Sequence, residues 1–328
     1  MNVLLVRTSE SDQNAVLSEV VKELHEFGVR ARLVWDVTPR LKHRLWTFGL
    51  PTYVIALKPI KRFMPSWAKI LQQVKYDKIQ EYQLLDQAGI PVPKWTAINQ
   101  GDVRDLSEFG DYVVTKPAGG CRGAFVRIMR RDRVKWRYLN LEHRRGKSTA
   151  IIIQEYIHTG SRAMSYRVTT CFGEPYYAWR TTAAYSRFSF EEEFTGSHFF
   201  AGKTIVSTSK GCVMDPNVPL DVVHFGTQVH KAFPNIPLLS IDIIRDNRSG
   251  ALYVLELNTA GLVMVATPQS MNRIKYDFGF DPCAQFGGAR AVARGIYNRT
   301  REVADSLASN SNFKAGSNSG MEEVVLRR

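Results

Sequence analysis

The stretch from Ser240 to Asn258 constrains this chain more than any other. Ser240-Ile241-Asp242-Ile243-Ile244-Arg245 and Ala251-Leu252-Tyr253-Val254-Leu255-Glu256-Leu257-Asn258 are apolar, β-branched-rich runs, and Asp246-Asn247-Arg248-Ser249-Gly250 between them is turn chemistry. Two such runs around a turn read as a β-hairpin. Side chains alternate along a strand, so Glu256 and Asn258 share a face. A loop at 248–250 places Asp242 opposite Glu256, on that same face. Two carboxylates and an amide then lie on an otherwise apolar sheet surface, where an unpartnered carboxylate is costly. Hard oxygen donors of this kind suit Mg2+, which usually takes one or two carboxylates together with substrate phosphates. The pattern also fits the polar outer face of a surface hairpin, and the upstream sequence has to decide between the two.

Upstream, residues 77–88 form a helix with Ile79, Tyr82, Leu85 and Leu84 available for burial, stopped by Gly89, Pro91 and Pro93. Lys78 falls in its first turn, where a cation opposes the helix dipole. A bound anion would account for it, and so would plain solvation. Residues 112–126 read as a strand ending in Lys116, a loop with Gly119, Gly120 and Gly123, and a second strand. Glycines let backbone N–H groups approach phosphates, and a lysine at the strand end adds a point charge. This is not the Walker pattern, because the lysine precedes the glycines and no helix follows. Residues 150–157 are a buried strand that turns polar. Residues 164–172 and 175–182 form a hairpin around Gly173-Glu174 and carry Arg167 and Arg180.

The remaining segments frame these pieces. Strand 2–7, helix 11–26 and strand 29–35 make a β-α-β start, the opening of a parallel sheet without a Gly-x-Gly-x-x-Gly fingerprint. A vaguer unit follows, strand-like over 52–57 with a basic loop at 59–65. Residues 188–202 are aromatic, acidic and glycine-containing, and read as a mobile loop. Residues 218–233 form a helix. A last helix at 281–307 aligns Val292, Ile296, Val303 and Leu307 on one face, and the Ser/Asn/Gly-rich stretch from 309 reads as a disordered tail.

Composition narrows the class. The chain has 328 residues, 44% hydrophobic and 23% charged, ordinary for a soluble globular protein. No apolar run approaches a membrane span, and residues 1–7 lack the features of a secretory signal. Cys121, Cys171, Cys212 and Cys283 show no metal-ligand spacing, which points to reduced thiols and a cytoplasmic location. The net charge of +13 favours anionic partners: nucleotides, nucleic acid or acidic peptides. Much of that charge also serves solubility. No recognition helix or RNA-binding signature is present, so nucleic acid rests on charge alone.

Taken in order, the pieces resemble the ATP-grasp superfamily over residues 66–307. They are the Asp77-Lys78 helix running to Gly89-Ile90-Pro91-Val92-Pro93, the Val113-Val114-Thr115-Lys116-Pro117 strand with its glycine loop, Ile153-Gln154-Glu155-Tyr156-Ile157, Arg180, and the Asp242 and Glu256-Leu257-Asn258 hairpin. The nearest flavour is the ribosomal-protein glutamate ligase and glutathione synthetase branch. The resemblance implies an α/β chain, α+β in its catalytic part. A β-α-β domain at 1–75 would precede two subdomains, a lid at 76–158 and a metal-bearing part at 159–308, with ATP held between them and a tail at 309–328.

It also implies roles. Lys78 and Lys116 would contact ATP phosphates, and Gly119, Gly120 and Gly123 would lie in a lid over them. Gln154, Glu155, Tyr156 and Ile157 match the adenine hinge. Asp242, Glu256 and Asn258 match the residues holding Mg2+, with Mn2+ as a second candidate. Arg180 would steady the transferring phosphoryl group, with Arg167 beside it. The implied activity is an ATP-dependent carboxylate–amine ligase working through an acyl phosphate. A kinase acting on a hydroxyl and a non-catalytic nucleotide-binding regulator are the alternatives on the same scaffold. The chain departs from that branch at Ser165, at Thr195-Gly196-Ser197-His198 and at Thr259-Ala260-Gly261. The carboxylate and amine are therefore unassigned; an acidic peptide or protein fits the charge, and a homo-oligomer is allowed.

Overall fold

Among the described residues the strands pair into three sheets, and apolar side chains of these strands and of the helices packed on them form the core. The computed structural model describes residues 2–7, 14–35, 52–56, 59–60, 68–119, 125–136, 149–186, 212–259 and 268–315. The first sheet holds β1 (Asn2–Arg7), β2 (Arg30–Trp35), β3 (Thr52–Ala56) and β4 (Ala68–Gln72), all parallel, in the order β2-β1-β3-β4. Every residue of β3 is buried, as a parallel strand covered on both faces requires. Helix α1 (Asn14–Glu26) connects β1 to β2 and buries Leu17, Val20 and Leu24 at helical spacing.

Helix α2 (Lys78–Gln87) follows, started by a capping box. Asp77 Oδ1 accepts from the Gln80 N–H at 2.9 Å, and Gln80 Oε1 accepts from the Asp77 N–H at 3.1 Å. The second sheet is antiparallel, ordered β5-β8-β6-β7, with β5 (Trp95–Ile98), β6 (Tyr112–Pro117), β7 (Arg127–Arg130) and β8 (Ile151–Glu155).

The third sheet, also antiparallel, is ordered β11-β10-β9-β12-β13. Its strands are β9 (Arg162–Cys171), β10 (Glu174–Ser186), β11 (Cys212–Asp215), β12 (Leu238–Arg245) and β13 (Leu252–Asn258). Period-two alternation gives it two faces. On one, Tyr166, Val168, Ala178, Ile241, Ile243, Val254 and Leu257 share a core with Val222, Val223 and Val229 of α3 (Leu220–Lys231). A Cβ at Gly226 of α3 would come within 2.7 Å of Val168 Cγ1, so glycine lets this helix lie close. On the other face, Cys171, Tyr177, Trp179 and Leu238 join one core with Val3, Leu5 and Leu17 of the first unit and Val292 and Ile296 near the C-terminus.

Several expectations change. Strands β4 and β11 and helix α4 (Pro268–Phe278) were not anticipated from the sequence. The expected 281–307 helix is broken. A 3-10 turn at Pro282–Gly287 comes first, and positive φ at Phe286, Gly287 and Gly288 separates it from α5 (Ala289–Ala315). That helix continues to Ala315, into the stretch expected as a disordered tail. The 188–202 loop and most of the basic loop at 59–65 lie outside the described residues. Among the described residues, no helix is long and apolar enough to cross a membrane.

Candidate active site

The β12–β13 hairpin carries the candidate metal residues, and its register puts Asp242, Glu256 and Asn258 on one face. Asp242 pairs with Glu256 and Ser240 with Asn258. The turn itself is longer than 248–250: the Asp246 N–H donates to Ala251 O at 2.9 Å, and the Gly250 N–H to Asp246 O at 2.8 Å. Arg245 pairs with Leu252, Ile244 with Tyr253 and Ile243 with Val254, so an unbroken ladder would set Asp242 opposite Leu255. A bulge between Asp242 and Ile243 leaves Leu255 as the extra residue and restores the Asp242–Glu256 pair. The expected pairing is therefore present by a different route.

Cross-strand partners share a face, so the register extends the row. Trp179 pairs with Arg167, Arg167 with Asp242, and Asp242 with Glu256. Arg167 grips Asp242 with both arms of its guanidinium, Nε to Oδ1 at 2.7 Å and Nη2 to Oδ2 at 2.8 Å. This fork-to-fork pairing is the strong, geometrically specific kind of ion pair. The Asp242 carboxylate holds the Arg167 proton more firmly still. Asn258 Nδ2 donates to Asp242 Oδ2 at 3.3 Å. Glu256 takes its cation from outside the sheet, with Lys78 Nζ 2.7 Å from Oε1. The anion that a lysine in the first turn of α2 calls for is thus Glu256.

Below Lys78 the face of α2 is unusual. Its buried residues are Lys78, Glu81, Tyr82 and Leu85, a complete i, i+3, i+4, i+7 stripe whose first two members are charged. Glu81 Oε2 accepts from the Leu257 N–H at 3.3 Å. Burial pushes the Glu81 carboxyl up to about 8, reinforced by Glu256 and opposed by Lys78. Lys116, at the end of β6, donates to the Tyr82 hydroxyl and, at 3.4 Å, to Leu255 O. Burial and then the nearby Lys78 pull its ammonium down to about 7, against the opposing carboxylates. Three acids (Glu81, Asp242, Glu256) and three bases (Lys78, Lys116, Arg167) thus meet where α2 and the second sheet adjoin β13.

The structure separates the other expected residues. Arg180 pairs with Tyr166 and Asp215 in the ladders, which puts it on the α3 side of the sheet, away from Arg167 and Asp242. There its guanidinium forms an ion pair with Asp215. Parity explains this: Arg180 follows Trp179, the residue that shares the face of Arg167. Of the hinge residues, Gln154 is 1% exposed and its Nε2 donates to Tyr82 Oη at 3.1 Å. The Glu155 N–H donates to Lys94 O at 2.8 Å. Tyr156 and Ile157 are half-buried after β8. Gly119 follows the buried Ala118, while Gly120 and Gly123 lie outside the described residues.

Sequence reasoning missed Glu81 and treated Tyr82 as plain core. The stripe spacing from Lys78 was the available signal, because it places a carboxylate and a phenol hydroxyl on the same buried face.

The donor set fits Mg2+. Among the described residues no group of three or more histidine, cysteine, aspartate and glutamate side chains is gathered as a metal cage. Two carboxylates and an amide are what is present. Mg2+ is usually held by one or two carboxylates and keeps its other positions for water and phosphate.

No family model and no curated protein matches the sequence. Solved structures do match. The ATP-grasp ligase PsnB, complexed with precursor peptide PsnA2 and AMPPNP, aligns at 13% identity over 91% of this chain and 98% of that chain, with a TM-score of 0.50. D-alanine–D-alanine ligase from Bacillus anthracis aligns at 12% identity over 92% and 99%, with a TM-score of 0.46. The macrocyclase MdnC from Microcystis aeruginosa MRC, bound with precursor peptide MdnA, aligns at 13% over 91% and 100%, with a TM-score of 0.45. The chain has the ATP-grasp fold, a mixed α/β architecture, as its motif order leads one to expect.

Proposed function

We propose that the chain is an ATP-dependent carboxylate–amine ligase working through an acyl phosphate. The observation that carries this reading is the paired row Arg167–Asp242–Glu256–Lys78, which lines up two carboxylates and two cations beside Lys116. A carboxylate is a poor electrophile. Its oxygen attacks the γ-phosphorus, the bond from that phosphorus to the β–γ bridging oxygen breaks, and ADP leaves. The amine then attacks the activated carbonyl, phosphate departs with the carboxylate oxygen, and the amine's extra proton passes to water.

Such a transfer needs positioning and positive charge more than covalent help from the protein. Asp242, Glu256 and Asn258 would hold Mg2+, or Mn2+ with the same hard donors, and the ion would neutralise charge on the phosphates. Lys78 and Arg167 serve as counter-ions to these carboxylates, and each would turn its charge to a phosphoryl oxygen when the nucleotide binds. Arg167 takes the role first given to Arg180, because it shares the face of Asp242. Gln154 to Ile157, Lys116 and Gly119 belong to the nucleotide side, and the divisions at 75, 158 and 308 remain part of the proposal.

An acidic peptide is the substrate class we favour. The PsnB complex contains a precursor peptide, and this chain's net charge of +13 attracts anions.

The test is ADP release from Mg-ATP with pooled carboxylates and acidic peptides, with hydroxylamine as surrogate amine. Hydroxamate appearing with ADP supports the ligase. A stable phosphorylated product and no hydroxamate replaces it with the kinase. Thermal stabilisation by Mg-ATP without ADP release across peptide pools leaves the regulator.

A further inference from the structure

Strand β13 lies at the edge of its sheet, so part of its backbone faces away from β12. Such groups must find partners or be covered. Here they find them on one short stretch of chain. The Val254 N–H donates to Pro91 O at 2.9 Å, the Leu257 N–H donates to Glu81, and Leu255 O accepts from Tyr82 Oη at 2.6 Å. Consecutive residues of α2 therefore hold the strand on both sides of Glu256.

The Tyr82 hydroxyl has three hydrogen-bond partners, Leu255 O, Lys116 Nζ and Gln154 Nε2. A phenol oxygen offers one proton and accepts through its lone pairs. Lys116 Nζ, as an ammonium, and Gln154 Nε2 both donate to Oη, so these two bonds are received. The single proton goes to Leu255 O, which can only accept. The hydroxyl is saturated, at the centre of a side chain that is 1% exposed and whose ring packs 5.2 Å from that of Trp95. Its partners come from β6, β8 and the bulge of β13. Lys116 and Gln154 are two of the residues assigned to the nucleotide, and Leu255 is the extra residue beside Glu256.

Resting on the ligase reading above, we propose that Tyr82 is a positioning residue. Its hydroxyl sets Lys116 and Gln154 for the nucleotide and, through the Leu255 carbonyl, fixes Glu256 for the metal. The bulge supports this. A hairpin shorter by one residue would also place a glutamate opposite Asp242. What Leu255 adds is a further peptide group, and its carbonyl is the one Tyr82 takes. A purely structural tyrosine would need only the ring and any one partner.

The experiment compares Tyr82→Phe with the whole wild-type chain and with Tyr176→Phe. Tyr176 is equally buried, in the other core. Binding of Mg-AMPPNP is measured by calorimetry, and Leu257 N–H protection by hydrogen exchange. Tyr82→Phe keeps the ring on Trp95, so the fold should persist. The expected result is nucleotide affinity weakened about tenfold or more, the range set by losing hydrogen bonds to a charged partner. Faster exchange at Leu257 should accompany it, and Tyr176→Phe should bind as wild type. Wild-type affinity in Tyr82→Phe overturns the inference while the ligase reading stands. Equal weakening in Tyr176→Phe also overturns it, as general destabilisation. A wild-type chain that does not bind Mg-AMPPNP removes both.

Discussion

Arg167 and Val168 are neighbours in the chain and lie on opposite sides of the third sheet. Val168 is completely buried against α3, in a core whose members meet by shape and area. Arg167, Asp242 and Glu256 form a row in which each side chain has a charged partner at hydrogen-bond distance. The same strands build both faces, and alternation alone separates them. On the α3 face a residue counts through its volume, so substitutions there should change stability and leave chemistry intact. Along the Arg167–Asp242–Glu256 row on the opposite face it counts through its charge, so substitutions in that row should do the reverse.

The largest expected effect is on the charged face. Glu256→Gln keeps the shape and removes the charge, and turnover should fall roughly a thousandfold or more. Thermal melting should stay within a few degrees of wild type. Wild-type turnover would sink the site assignment, and a collapsed fold would erase the contrast between the faces.

On the α3 side, Ile241 is fully buried, and Ile241→Ala should cost about 3 kcal/mol, read from denaturant unfolding. Mg-nucleotide affinity below the transition should not change. A large loss of affinity would mean that the two faces are coupled through β12.

His230 of α3 sharpens the same point with pH. It is 1% exposed; Nε2 donates to Ile236 O at 2.8 Å, and Nδ1 accepts from the Thr170 hydroxyl. Both bonds suit a neutral ring, and burial pulls its pKa down to about 4. The unfolded ring titrates near 6.5, so between these values the unfolded chain binds more protons. Stability from this group is complete above about pH 6.5 and is lost toward pH 4, by about 3 kcal/mol. Equilibrium unfolding across that window should show the decline, and His230→Gln should flatten it.

The smallest effect separates the arginines. Arg180→Ala should lower turnover less than about tenfold, its partner Asp215 being an ion pair of the half-exposed kind. Arg167→Ala should cost far more. Reversal of that order in steady-state kinetics would return Arg180 to the site.

Local chemistry made much of this legible. Alternation placed Asp242, Glu256 and Asn258 on one face, and Lys78 stood out because its position opposes the helix dipole. Turn residues marked the β9–β10 connection at Gly173. The bulge at Leu255 was not legible, because a loop at 248–250 sets Asp242 opposite Glu256 without one, and only the ladder shows the longer turn that makes the extra residue necessary. Arg180 was misplaced because motif order carries no parity; counting from Arg167 across the irregularity between Pro175 and Tyr177 requires the ladder itself. Strand β11 has only Cys212 to Asp215, too short for periodicity to speak, and it exists because β10 offers it an edge.

The core that joins Val3, Leu5 and Leu17 to Tyr177, Trp179 and Val292 has a consequence for how this chain can be handled and inherited. Its opening segment is no detachable module. A fragment starting after it would leave aromatic side chains of β10 facing water, and a transplanted substitute would have to match their contours. Variation in this protein should therefore gather in its connecting segments, while the first strands and the last helix travel together as one heritable piece.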